Sequence, residues 1–329
     1  MKILIIFTGG TIGSSSGKGP GSYGGPVISL DESASSLLLK MYSEVSAACS
    51  KTASKEGAVS FDTVRPYTVL SEDLSAKEIN LLIDTVREAL DLDYDGIIVT
   101  HGSDTLQFSA AALALALGHD TVPVMMTASD RPLEDPGANG LANFTAAVRF
   151  IKERAGKGTF IPWRNVPDGP VYIHKALDAL SYRETTGSVE SAGGRPFAAF
   201  EDGSLTVYAD AGECGRPAES CPGLQFPDSS GILVITPCPG AVYDTSVLYG
   251  HGCRLVLFRP YHSGTLPTGD RHFRGFCMAA AEAGIPLYIS GCRDGAVYES
   301  ALAYQELGIH VLPFSAFPAD YMRLWAGLA

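Results

Sequence analysis

Apolar residues along the chain fall into short, nearly continuous runs separated by longer amphipathic stretches. Residues 3–7, 96–100 and 122–127 are runs of the first kind, as expected of strands buried on both faces of a sheet. Residues 64–70 read as a further strand. Between these runs the spacing becomes helical, and residues 37–45 read as part of a helix. Ser75-Ala76-Lys77-Glu78 is a capping-box pattern. It opens a helix to Leu90 with Ile79, Leu82, Ile83, Val86 and Leu90 on one face. Residues 105–117, rich in alanine and leucine, predict a mostly buried helix, and 141–153 an amphipathic one. Strands and helices alternating at this spacing predict βαβ units and a right-handed parallel sheet.

From residue 185 to 230 the pattern degrades into Gly, Pro, Ser and polar residues. Only 196–200 and 204–208 look strand-like there, which reads as sheet edge plus connection. Alternation then resumes, with strands at 232–236, 254–258 and 286–290 and a closing helix at 318–327. The expected organisation is two-domain α/β. A larger N-terminal, Rossmann-like parallel-sheet domain spans 1–195, a connection 196–229, and a smaller C-terminal α/β domain 230–329. The chain contains no evident internal repeat or low-complexity tract.

The chain's 329 residues are enough for each domain to bury its own core. The formal net charge of −12 and the absence of any Lys/Arg-rich run disfavour nucleic acid or an anionic membrane as partner. The apolar run at 3–7 is too short for a signal-peptide core. No apolar run approaches the ~20 residues of a membrane span. Seven cysteines is an odd count without CxxC spacing, so neither a disulfide framework nor a zinc site is signalled. Cys214 and Cys221 are close enough in sequence to pair, but free thiols in a cytoplasmic protein are the expectation. The histidines show no metal-ligand spacing, so no metal is expected.

Two glycine-rich stretches imitate nucleotide sites. Gly19-Pro20-Gly21-Ser22-Tyr23-Gly24 fits a dinucleotide fingerprint by letter, but it does not directly follow the strand and a proline interrupts it. Gly13 to Gly19 resembles a phosphate-binding loop, but it is one residue short and lacks the Ser/Thr after Lys18. A loop explains both, and no cofactor is expected.

Thr8-Gly9-Gly10-Thr11-Ile12-Gly13 differs because it begins where a strand ends. Ligands in open α/β sheets bind beyond the carboxyl ends of the strands. Glycines there let the main chain turn sharply and approach a ligand. Thr11 is a candidate nucleophile, although a tight turn alone would also account for the stretch. Thr100-His101-Gly102-Ser103-Asp104-Thr105 is the same arrangement again: strand, glycine turn, then helix. It supplies hydroxyls from Ser103 and Thr105 and a carboxylate from Asp104. Helix capping would explain these residues singly; two hydroxyl-rich strand ends in one sheet are harder to dismiss. His101 precedes the turn and reads as structural.

Taken together, the two stretches resemble the bacterial L-asparaginase/glutaminase family. Tyr23-Gly24-Gly25 is similar to the family's active-site loop tyrosine, and Ser71-Glu72-Asp73-Leu74 to the segment that grips the substrate's amino-acid head. Arg131-Pro132 with Ala138-Asn139-Gly140 and Asn143 resembles a segment after a core strand. Pro239-Gly240 and Tyr261 to Pro267 resemble elements of the second domain. The resemblance implies hydrolysis of L-asparagine to L-aspartate and ammonia, with glutamine a weaker substrate. Thr11 would be the nucleophile, Tyr23 would help polarise it, and Ser103 stands where the family usually has threonine. Asp104 and Glu72 would pair with the substrate ammonium. Ser71 and main-chain groups at Gly10 and Gly102 would hold the rest of the substrate. It also implies a homodimer or homotetramer. The family's tRNA-amidating relatives carry an extra N-terminal domain, whereas this chain starts at its first strand, which argues against that role.

Three departures stand out. The family lysine that partners the second motif is absent, and its slot holds Arg183 or Glu184, depending on a one-residue gap. Arg183 is the candidate replacement; it supplies charge but cannot serve as a base. It could equally pair with Glu184 or Glu190. Thr265 replaces an asparagine that contacts a neighbour's site, and Asn139 stands where aspartate is commoner. The missing lysine leaves two alternatives: an impaired member that binds an amino acid or dipeptide, and an amidohydrolase for another small amide.

Overall fold

Three sheets, of eight, four and two strands, organise the computed structural model, which describes residues 1–18, 26–31, 33–50, 58–119, 121–181, 186–208, 220–249, 252–292 and 298–328. The first part comprises β1 (Lys2–Phe7), β2 (Ser14–Lys18), β3 (Pro26–Leu30), α1 (Ser33–Ser50), β4 (Ser60–Val64), α2 (Ala76–Leu90), β5 (Gly96–Thr100), α3 (Leu106–Leu117), β6 (Val124–Thr127), α4 (Gly140–Lys152), β7 (Thr159–Arg164), β8 (Val171–Lys175), β9 (Ala198–Glu201) and β10 (Ser204–Val207). The second comprises β11 (Ile232–Ile235), β12 (Leu255–Phe258), α5 (Arg271–Glu282), β13 (Leu287–Ile289), β14 (Ile309–Val311) and α6 (Phe317–Trp325).

The first sheet has eight strands in the order β10-β9-β8-β7-β6-β5-β1-β4. Pairing is parallel from β4 through β7. β1 is apolar at nearly every position because both of its faces are covered. Leu4 and Ile6 meet Ile79, Leu82, Ile83 and Val86 of α2, while Ile3 and Ile5 share a cluster with Leu38 of α1 and Phe144 of α4. Ser75 opens α2 as the capping box predicts, its N–H donating to Glu78 Oε2 at 3.1 Å.

The strand expected over 64–70 lies instead at Ser60–Val64. Pro66 ends it, since proline has no N–H for the ladder and restrains the residue before it. Only Val69 returns to the sheet, as a single parallel bridge to Gly9. The antiparallel strands β8, β9 and β10 extend the parallel set. Pro162 is tolerated in β7 because it falls beyond the two residue pairs, Thr159 and Phe160, that β7 makes with β6.

A strap over residues 186–196 crosses this flank. Trp163 Nε1 donates to Gly187 O at 3.0 Å, and the Asn165 amide both donates to and accepts from the Val189 main chain. On its other side, Leu180 N–H donates to Glu190 O at 2.9 Å and Ala192 N–H to Asp178 O at 2.7 Å.

The second sheet is four parallel strands, β11-β12-β13-β14. Asp270 caps α5 by accepting from His272 and Phe273 N–H, which holds its carboxyl below the usual range. α6 returns to the first part: Ala319 and Met322 enter the cluster around α3, and Tyr321 meets Phe108 edge-on at 5.7 Å. α3 is therefore covered by the sheet, α2 and α6, which is why even its Gln107 and Ser109 are buried.

Among the described residues no helix is long and apolar enough to cross a membrane. Cys221 is a free thiol, as are Cys238, Cys253, Cys277 and Cys292; Cys214 lies outside the described residues.

If α6 belongs to the core of the first part, Met322→Ala should cost about 2–5 kcal/mol in denaturant unfolding. Leu302→Ala, at a side chain 71% exposed, should change stability by less than about 0.5 kcal/mol.

Candidate active site

The ends of β1 and β5 are joined by one residue. Thr8 donates both its N–H and its hydroxyl to Thr100 O, at 3.2 and 2.7 Å. The chain then turns through Gly9 (φ +105) and Gly10 (φ +75), conformations that favour glycine. At Gly10 space matters as much as conformation. A Cβ there would lie 2.2 Å from Gly102 Cα, so the two turns touch main chain to main chain. A Cβ on Gly102 would in turn lie 2.3 Å from Ser71 Cβ. The turns at Gly10, Gly102 and Ser71 are therefore stacked at the carboxyl edge of the parallel sheet, where ligands bind in open α/β folds.

Thr11 follows Gly10 and opens a short 3-10 turn, closed by Gly13 N–H donating to Gly10 O at 2.9 Å. Thr11 is half-buried, and among the described residues its hydroxyl has no hydrogen-bond partner. Ser103, next to Gly102, is also half-buried, and Asp104 is exposed just ahead of α3. A carboxylate there sits favourably against the helix dipole. Ser71 is buried, and its hydroxyl lies 3.4 Å from Asp104 Oδ2. Glu72 is exposed on the same short turn as Ser71. Gly10, Thr11, Ser71, Gly102, Ser103 and Asp104 are thus brought to one sheet edge, with Glu72 at its rim. Tyr23 and Arg183 lie outside the described residues.

Two residues without an assigned role hold this arrangement together. Thr8 ties the strand ends, and Thr105 Oγ1 donates to Ser71 O at 3.0 Å, clamping the Ser71 turn onto the second motif. Their signal in the sequence was a threonine at each strand-to-turn or turn-to-helix junction. Asn139 explains its own departure from aspartate. Its Oδ1 accepts from Asp130 N–H, while its Nδ2 donates to Arg164 O at 3.0 Å, and a carboxylate could not donate.

His101 is buried, and its Nδ1 lies 2.8 Å from Gly102 O, supporting the turn from behind. Burial outweighs the carbonyl and pushes its pKa down to about 4. A neutral, enclosed imidazole of this kind supports the turn and does not face a substrate. Among the described residues no group of His, Cys, Asp and Glu is placed to hold a metal ion.

The buried histidine sets a pH dependence. Unfolding returns His101 to its ordinary pKa of 6.5, so the unfolded chain binds the extra proton first. Stability from this group is complete above 6.5 and is lost as the pH falls towards 4. His101→Asn keeps a donor for Gly102 O and removes the titration. Its unfolding midpoint should therefore depend less steeply on pH across that window than the wild type's.

Comparison with known proteins places the chain by sequence and by fold. Residues 2–211, more than half of the chain, match the family described as "Asparaginase, N-terminal". A glutamyl-tRNA(Gln) amidotransferase component from Aeropyrum pernix is 28% identical over 149 residues, 45% of this chain and 31% of that protein. The chain thus spans about a third of the length of such relatives. In fold, the thermostable L-asparaginase from Thermococcus kodakarensis superposes with a TM-score of 0.73 at 20% identity, covering 100% of this chain and 93% of that one. L-asparaginase I from Vibrio cholerae gives 0.74 at 19% identity, covering 99% and 92%. With the family model matched over more than half of its length, the chain belongs to the asparaginase family.

Proposed function

We propose that the chain hydrolyses the side-chain amide of L-asparagine to L-aspartate and ammonia, with L-glutamine as a weaker substrate. The observation that carries this reading is the stacking of the Gly10, Gly102 and Ser71 turns. It gathers three hydroxyls, a carboxylate and main-chain N–H groups at one sheet edge. In this reading Thr11 Oγ attacks the amide carbon, and its proton leaves through the polar cluster. Tyr23 polarises the nucleophile, and Ser103 takes the place of the second threonine. Main-chain N–H groups of the glycine turns stabilise the tetrahedral oxyanion. Ammonia departs with a proton, leaving an ester on Thr11, which water hydrolyses to release aspartate. Asp104 and Glu72 pair with the substrate ammonium, and Ser71 holds its carboxylate. Arg183 supplies positive charge where the family has lysine and leaves proton transfer to other groups. The reaction consumes only water and needs no cofactor. A homodimer or homotetramer in the cytoplasm completes the proposal.

A second reading follows from the relatives named as parts of an amidotransferase. The same amide cleavage would then release ammonia for use by a partner protein.

Ammonia release from L-asparagine, with L-glutamine and D-asparagine in parallel, tests the first reading. Thr11→Ala should lower release from L-asparagine by at least about a thousand-fold. Undiminished release in that variant would remove Thr11 from its role. No release by the wild type from any of the three would favour a binding protein, a different amide or a missing partner.

A further inference from the structure

A cavity of about 820 Å3 lies on the antiparallel flank of the large sheet and shares no lining residue with the stacked turns. Its size is that of small-molecule sites, roughly 300–1,000 Å3. Its floor is β8, where Tyr172 and His174 stand opposite Trp163 and Ile161 and so share one face of the sheet. The strap over 186–196 forms the facing wall, and Tyr208 closes the end beyond β10. The wall is preformed, since the strap is bonded to Trp163 and Asn165 on one side and to Asp178 and Leu180 on the other.

Polar side chains make up much of the lining. His174 is 2% exposed, and its Nδ1 lies 2.8 Å from Ser191 Oγ. Its Nε2 is buried without a hydrogen-bond partner, a condition native proteins rarely leave unanswered. Burial pushes the imidazole down to about 4, so at neutral pH this couple offers hydrogen bonds without charge. Arg195 is exposed along the lining, and among the described residues no carboxylate pairs with it. Glu190 also lines the cavity, and its side chain is engaged in an interaction of its own. Tyr172, Tyr208 and Pro196 provide ring-bearing walls.

We propose that this cavity binds a small organic anion built on a planar ring. The oxyanion meets the Arg195 guanidinium, the ring lies against Tyr172, Tyr208 and Pro196, and a polar edge faces the Ser191–His174 couple. An aromatic carboxylate and a nucleoside monophosphate share this chemistry. The site does not depend on the reaction proposed above.

Isothermal titration of the full chain with 4-hydroxybenzoate, adenosine 5′-monophosphate, adenosine and inorganic phosphate tests it. One of the two ring anions should bind at one equivalent; which one does identifies the source. Adenosine, without the anion, and phosphate, without the ring, should each bind at least about ten-fold more weakly than the ring anion. Arg195→Gln, at an exposed position, and the milder Ser191→Ala should each weaken binding by a similar factor. Saturating L-aspartate should leave the titration unchanged. Failure of both ring anions to bind at millimolar concentration would overturn the proposal. So would binding unaffected by Arg195→Gln, or displacement by L-aspartate.

Discussion

The main chain at Gly10 touches the main chain at Gly102, and Gly102 leaves no room for a side-chain atom between itself and Ser71. The rest of the arrangement depends on that contact. It brings the turns that follow β1 and β5 as close as two Cα atoms permit. The residues that follow each glycine, Thr11 and Ser103, therefore project from adjoining segments of one edge. Thr8 and Thr105 lock the same contact from either side, through Thr100 O and Ser71 O. A polar cluster made this way is rigid because main chain sets it, and pre-organised groups are what amide hydrolysis requires.

The surrounding fold serves that rigidity. β1 and β5 are covered on both faces, and α3, which begins immediately after the second motif, is enclosed by the sheet, α2 and α6. α6 comes from the far end of the chain, so the second part of the molecule braces the helix that carries the motif. His101 adds a neutral buried support behind Gly102. The antiparallel flank has a different character. Its strap replaces a covering helix, and the cavity beneath it follows from that substitution.

Much of this was legible in the sequence, for reasons that particular residues make clear. β1 and β5 announce themselves because strands covered on both faces must be apolar throughout. Ser75 and Glu78 mark the start of α2 because free helix N–H groups require partners. The glycines at 10 and 102 could be read as turns, but their mutual contact could not, since nothing local reports which turns will meet. Residues 64–70 misled because Val64, Val69 and Leu70 are good strand formers, whereas Pro66 decides the matter. The flank at β7 and β8 was hidden by Pro162 and His174, residues that suit a strand only once its neighbours are known. Asn139 looked like a departure and is an amide whose donor Arg164 O requires.

Replacing Gly102 with alanine, and measuring ammonia release from L-asparagine together with cooperative unfolding, tests the contact most directly. The added methyl must push the Ser71 turn away from the second motif while leaving the covered strands intact. The contact predicts a folded protein of reduced stability whose kcat/KM falls by roughly a hundred-fold. A folded Gly102→Ala variant with activity within about two-fold of wild type would show that the stacked turns do not set the catalytic geometry.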